Sequence, residues 1–471
     1  MAERAAMQEV RIHRFETHHR LPKRALAERR RLDQVRALVL DTALELALER
    51  AGVPEEGELC IRNLFAPIRL RLSGTDASLA LDWSLALAQE ISRALRDGSS
   101  PNMVFYHSRR QALMDLVIRV SRGDVRRVWA WRQLGLWPSS DITNESQAVL
   151  ELTHALCAEP AMVVPALRAL ADEGGLQHIA NRLTGREWEA LAFAALSASG
   201  AAHLLPEADH APSPRALRDA LRVLNGSRLL RAITSSCAFL DASVEARRAV
   251  AALAVMDAEP MLLRTEGAQI VIGVIAEATR SVRVETMNFL LMEPDEEETK
   301  PVDMRRRAFT RFGGLLFLLG LIEDLCLPGE IIAHPALGAR PFSWVAHQLA
   351  LALLTIEPND PAALAFAGLP PDARPPSEEQ EAPNEIEARA TNTFAALIVE
   401  RLGALLDFED APQTRLLEFV CCRRAEIVAD PGWIDVRFSL DEVATEIRRA
   451  GLDLDPGYLS WLGVVVRFVY E

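Results

Sequence analysis

Apolar residues recur at two different periods along this chain, and the switches between them divide it into four regions. Near the C-terminal end, Ile434, Val436, Phe438 and Leu440 alternate with Asp435, Arg437 and Ser439. That is the period of a strand with one buried face. Pro431-Gly432 is a turn signal, which makes Glu426–Ala429 the other arm of a hairpin. Asp441 is the predicted cap of a helix carrying Val443, Ile447 and Ala450 on one side, and Gly451 is its stop. Val464–Tyr470 is so apolar that it is expected to pair inside a sheet, because an exposed apolar edge invites aggregation.

The opening of the chain alternates as well. Glu9–Leu21 predicts a strand, with Val10 and Ile12 on one face, a register change before Phe15, and His18 and His19 on opposite faces. Arg24–Arg50 predicts a long helix that keeps Leu32, Val35, Val39, Ala43 and Leu46 to one side and ends at Gly52 and Pro54. Within Leu59–Leu72, Ile68, Leu70 and Leu72 alternate with Arg69 and Arg71, which predicts a second strand. A helix capped by Asp82 follows, with Trp83, Leu87, Ile91 and Leu95 at helical spacing and Gly98 as its stop. Met103–Tyr106 predicts a short strand, Gln111–Val120 a helix, and a tryptophan-rich run closes the region at Trp137. Residues 1–137 thus form an expected N-terminal α/β module.

Residues 138–368 read as almost unbroken helix-turn-helix. Thr184 with Glu187 makes a capping box, and Ser213-Pro214 places proline at the first helical position. No strict period emerges, so the expectation is an irregular helical-repeat-like pile. Residues 369–384 are rich in proline and glutamate and predict an extended or disordered acidic linker. In residues 385–471, helices Glu385–Leu406 and Pro412–Arg423 precede the terminal sheet. The predicted fold class is mainly α, a central multi-helix region flanked by small α/β modules at the N- and C-termini.

Composition narrows the function. An apolar fraction of 49 % with 25 % charged residues describes an ordinary globular protein. The net charge of −14 argues against nucleic acid or an acidic membrane as a partner. Cys60, Cys157, Cys237, Cys326, Cys421 and Cys422 form no CxxC pair and are expected to be free thiols in a reducing cytoplasm. The strongest apolar window, Gly313–Ile322, falls short of the roughly 20 residues that a membrane span needs. No signal pattern opens the chain.

Candidate chemistry is sparse. Glu151 and His154 stand three apart on a predicted helix, but a di-metal bundle needs two such pairs and two more glutamates. A metal-dependent hydrolase built on this pair is the weakest of three readings. His13, His18 and His19 lie close in sequence without a common face, and His203 and His210 lack a third ligand. Neither a phosphate loop nor a G-x-S-x-G elbow occurs, so no catalytic residue, cofactor or metal is assigned. The basic run containing Arg29, Arg30 and Arg31 offers a contact for an acidic protein surface, either Glu293–Glu298 of this chain or a partner subunit. Trp129, Trp131 and Trp137, dense within nine residues, would make a partner anchor if part-exposed.

Arg11–Glu16 (RIHRFE), Ile61–Leu72 (IRNLFAPIRLRL) and Leu113–Pro138, ending WAWRQLGLWP, together resemble the contractile injection system tape measure family. Thr310–Leu325, Pro358–Asp372 and Trp433–Glu471 resemble companion proteins from gene clusters of extracellular contractile injection systems, the phage-tail-like particles. A ruler needs sustained heptads, and these helices are short and broken by proline and glycine. The resemblance therefore implies a non-enzymatic assembly or accessory component. It implies sheath, tube, baseplate or cap proteins as partners, in the cytoplasm or within an assembled particle. The alternative expectation is a helical adaptor or chaperone that holds a cargo or effector for loading.

Overall fold

The computed structural model describes residues 10–12, 14–21, 28–54, 56–97, 101–138, 144–205, 212–234, 243–280, 302–408 and 412–471. Helix dominates, and the strands fall into two small sheets, as the sequence predicts for a mainly α chain. Two units emerge: residues within 1–115, 126–137 and 293–302, and residues within 116–125, 138–292 and 303–471.

In the first unit the long helix runs from Glu28 to Arg50, and a π-helical turn interrupts it over Val39–Ala43. The extra residue rotates everything downstream. Leu44, Ala47 and Leu48 therefore enter the core, whereas Leu46, expected inside, turns out and is 44 % exposed. Gly52 ends the helix at φ +68°, a conformation a side chain would disfavour. The next helix starts at Asp76, earlier than predicted. Thr75, not Asp82, caps it, accepting from the Ser78 N–H at 3.2 Å. Its Leu79, Trp83, Leu87 and Ile91 pack on Val35, Val39 and Leu48.

Only a hairpin of the predicted N-terminal strands forms a ladder: β1 (Glu58–Ile61) pairs antiparallel with β2 (Met103–Tyr106). Residues 14–21 and 63–71 make no strand, contrary to the sequence reading. Their burial nevertheless alternates residue by residue, as in an extended chain lying with one face on the helices. Phe15 and His19 sit beside Trp83, and Leu64, Ala66, Ile68 and Leu70 pack on the helical core. The period-two pattern is real, but among the described residues it has no ladder partner.

The second unit starts as a helical pile. Helices Glu145–Ala158 and Val244–Ala258 terminate alike, each in Ala-Glu-Pro followed by a 3-10 turn. Glu159 (φ −125°, ψ 70°) and Glu259 (φ −145°, ψ 69°) are driven out of the helical region by the proline that follows. The two helix ends share this local geometry; the helices between them follow no strict period. The predicted capping box of Thr184 and Glu187 forms.

A five-stranded sheet completes this unit: β3 (Arg306–Thr310), β4 (Ala425–Asp430), β5 (Trp433–Phe438), β6 (Gly457–Leu459) and β7 (Val464–Tyr470). The order is β3-β4-β5-β7-β6, with β5 and β7 parallel and the other neighbours antiparallel. The hairpin around Pro431-Gly432 and the buried terminal strand are as predicted. Two features are not. β3 comes from the region read as almost unbroken helix-turn-helix, and Asp441 caps no helix: it lies in a 3-10 turn capped by Ser439, while the helix Thr445–Arg449 follows Ala444 with no side-chain cap.

Residues 369–384 are not the extended linker the sequence predicts. They carry a short helix, Pro376–Glu379, and bury Pro371, Pro375 and Pro376. Proline rings are apolar surface and lose little entropy on ordering, so a proline-rich stretch can be fastened down readily. Behind it, Asn384 and Glu387 form a second capping box on helix Glu385–Leu405. Glu387 also takes a two-pronged bond from Arg340 at 2.8 and 3.0 Å. Gly313 and Gly314 lie in a 3-10 turn rather than in the expected helix. A Cβ on Gly314 would stand 2.1 Å from the Val420 carbonyl oxygen, so the turn requires glycine there.

Candidate interaction surfaces

The sequence-predicted contact residues separate sharply. Arg29 and Arg30 are exposed, whereas Arg31 is committed within the unit. Its guanidinium donates to Asp76 at 2.6 Å, Glu28 at 3.2 Å and the Leu72 carbonyl at 3.0 Å, and also to the Gly74 carbonyl. The bonds to Asp76 and then Glu28 raise its pKa. Arg31 is therefore a tether between the helix start and the turn at residues 72–76, and not a free contact. Trp131 and Trp137 are buried, their rings 5.7 Å apart, so neither can anchor a partner. Trp129 alone of the three is half-buried.

Glu151 and His154 approach to 3.3 Å on an exposed helix face. No cluster of three or more His, Cys, Asp or Glu able to hold a metal occurs among the described residues. His18 points out and His19 in, as alternation predicts. His13, Cys237, His210 and Glu293–Glu298 lie outside the described residues. No helix among the described residues is long and apolar enough to cross a membrane.

Sequence reasoning missed the most tightly built polar group. Asp115 is fully buried in the first unit, where its carboxylate accepts from the Tyr106 hydroxyl at 2.9 Å and from Arg127 at 2.8 Å. The Val302 N–H donates to the same carboxylate at 3.1 Å. Gln111 braces the other side, accepting from the His107 N–H at 2.6 Å and donating to the Val302 carbonyl at 3.1 Å. Burial first, then the Asp115 charge, pushes the Tyr106 hydroxyl pKa far up. A phenol so held is a fixed donor and not an acid. The one available sequence signal was an aspartate inside the apolar run LMDLVIRV.

The second unit uses its buried charges in the same way. Arg305 grips Asp430 with two bonds of 3.0 and 2.7 Å, and Arg340 stacks 4.6 Å above Trp344 while holding Glu387. Two open grooves mark its surface. One, of 520 Å³, is lined by Asp172, Gln177, Arg228 and Arg231, yet Arg228 already pairs with both Asp172 oxygens at 3.1 and 3.2 Å. The other, of 440 Å³, includes His203, Arg264 and Ser460, and Arg264 donates to Ser460 at 2.7 Å and Glu323 at 3.1 Å. In each groove a principal cation is answered by a neighbouring acid.

No protein-family model, no curated protein and no solved structure matches the chain. The surface itself is the remaining guide. Two alternating stretches, residues 14–21 and 63–71, carry no backbone ladder, and the second is the one with an exposed phenylalanine. Among the described residues, no backbone N–H or C=O from Asn63 to Arg71 has a hydrogen-bond partner. The outward side chains are Asn63, Phe65, Pro67, Arg69 and Arg71, and Phe65 is 87 % exposed. Among the described residues, Arg69, Arg71, Arg29 and Arg30 form no ion pair.

Proposed function

We propose that this protein is a non-enzymatic assembly or accessory component of a contractile injection particle, working through contacts with other polypeptides. The setting comes from the segments that resemble proteins of such systems. The mode of action is supported chiefly by one observation: a half-buried stretch of alternating burial, residues 63–71, whose backbone groups have no hydrogen-bond partner among the described residues. Unpaired edges template pairing with another chain, and strand addition to such an edge is a recurring mode of protein recognition. Three ion pairs inside the protein point the same way. Asp115 with Arg127, Arg305 with Asp430, and Arg340 with Glu387 are mutually satisfied pairs that fasten segments together. Groups spent on one another in this way hold architecture and are not poised for proton transfer.

The test is co-purification of the tagged full chain with sheath, tube, baseplate and cap proteins of the same particle, combined with a deletion strain. Loss or shortening of particles on deletion is the expected result. Particles of normal yield and length would overturn the assignment.

A further inference from the structure

We propose that the backbone edge of residues 63–71 receives an extended, acidic segment of a partner protein as an added β-strand. The inference rests on the reading of this chain as a protein-contact component, and it specifies which atoms make the contact.

Along an extended chain, successive residues direct their backbone groups to opposite edges and their side chains to opposite faces. Odd-numbered residues from Asn63 to Arg71 therefore share the outer face and one edge; even-numbered residues share the inner face and the other edge. Pro67 lacks an N–H, so the odd edge is broken at its centre. The even edge of Leu64, Ala66, Ile68 and Leu70 is continuous. These four residues also press their side chains on the helical core. A slip of one residue would expose all of them, so the core fixes the strand's register before any partner arrives. Such a prepared strand removes this chain's own share of the ordering cost, leaving only that of the partner segment.

Charge selects the occupant. Arg69 and Arg71 project from the outer face, and Arg29 and Arg30 stand at the helix start that Arg31 ties to Leu72 and Gly74. This positive edge belongs to a chain of net charge −14, so its sign is local and not an average property. Acidic side chains alternating along an added strand would lie beside Arg69 and Arg71, where opposite cross-strand charges attract. Phe65 offers one apolar contact. A second copy fits less well, since it would bring the same arginines and the same net negative charge.

The experiment uses the full chain and labelled peptides that match the stretch in length, one alternating valine with glutamate and one alternating valine with lysine. Fluorescence anisotropy should show the glutamate peptide binding about tenfold or more tightly than the lysine peptide, with the difference shrinking at high salt. Ala66→Pro removes a donor from the continuous edge and should abolish binding; Asn63→Pro alters only the other edge and should leave it intact. If Ala66→Pro fails to fold, the double variant R69E/R71E, confined to exposed side chains, should reverse the peptide preference. Equal binding of both peptides, no binding of either, or an unchanged preference in R69E/R71E would overturn the proposal. So would a self-association in sedimentation that Ala66→Pro removes, which would give the edge to a second copy. Normal particles in the deletion strain would remove the particle setting yet leave a positive peptide result standing, so the two failures are distinguishable.

Discussion

Arg127 and Asp115 meet at 2.8 Å with the carboxylate wholly shielded from solvent, and the same carboxylate holds Tyr106 and the backbone of Val302. Removing one member of a buried pair leaves the other uncompensated, which costs about 3–5 kcal/mol. Asp115→Ala should therefore lower the unfolding free energy by about that amount in urea titration. Asp115→Asn, which keeps an acceptor for Tyr106, should lose less. A loss below about 1 kcal/mol for the alanine variant would mean that this knot does not hold the unit together.

The three tryptophans near the end of the first unit should separate by substitution. Trp131→Ala empties a fully buried site and should cost about 3–5 kcal/mol in thermal or denaturant unfolding. Trp129→Ala, at a half-buried position, should cost clearly less. Equal losses would contradict the packing described.

Glycines give a second contrast. Gly314→Ala forces a Cβ onto the Val420 carbonyl oxygen and should destabilise by more than about 2 kcal/mol or prevent folding. Gly320 lies in helix Leu318–Asp324 with open space around the added atom. There, alanine should stabilise by roughly 0.5–1 kcal/mol through reduced chain entropy. Differential scanning calorimetry of both variants checks the pair.

Glu259 makes a pH-dependent contribution. Burial raises its pKa to about 7, against the opposing pull of Arg222 and of the Phe342 N–H, while Asp219 adds to the rise. The folded state thus binds the proton more tightly than the unfolded chain. Stability is full below the unfolded value of about 4.5 and is lost as pH rises through about 7, a change on the order of 3 kcal/mol. Glu259→Gln should flatten that part of the stability–pH curve and raise stability at mildly alkaline pH. An unaltered curve would show that the carboxyl is solvated in the folded protein.

Local rules carried much of the fold. Alternation located β5, the turn at Pro431-Gly432 located its hairpin partner β4, the apolarity of Val464–Tyr470 located β7, and Thr184 with Glu187 announced a helix start. What escaped depended on distant partners or on winding. Arg306–Thr310 is too short and too basic to announce a strand, and becomes one only because Ala425–Asp430 lies beside it. Conversely, Ile68 and Leu70 alternate well and still find no ladder. The π-turn at Val39 left no mark in the residue pattern, so Leu46 was placed on the wrong side. The proposed contact surface was half legible: Arg29 and Arg30 are exposed, but the backbone of residues 63–71, unpaired among the described residues, is a property of backbone pairing that composition cannot reveal.

The strand order of the larger sheet also has a temporal meaning. β7 lies between β5 and β6 and is the last of the strands to leave the ribosome, while β3 is made long before the strand it pairs with. Contacts so far apart in sequence form slowly, whereas helices close on near neighbours. During synthesis the helical pile can settle first, with Phe309 and the rest of β3 waiting unpaired until β4 appears. Stalled nascent chains ending before residue 464 should accordingly be cut by protease within the future sheet, and chains released whole should resist.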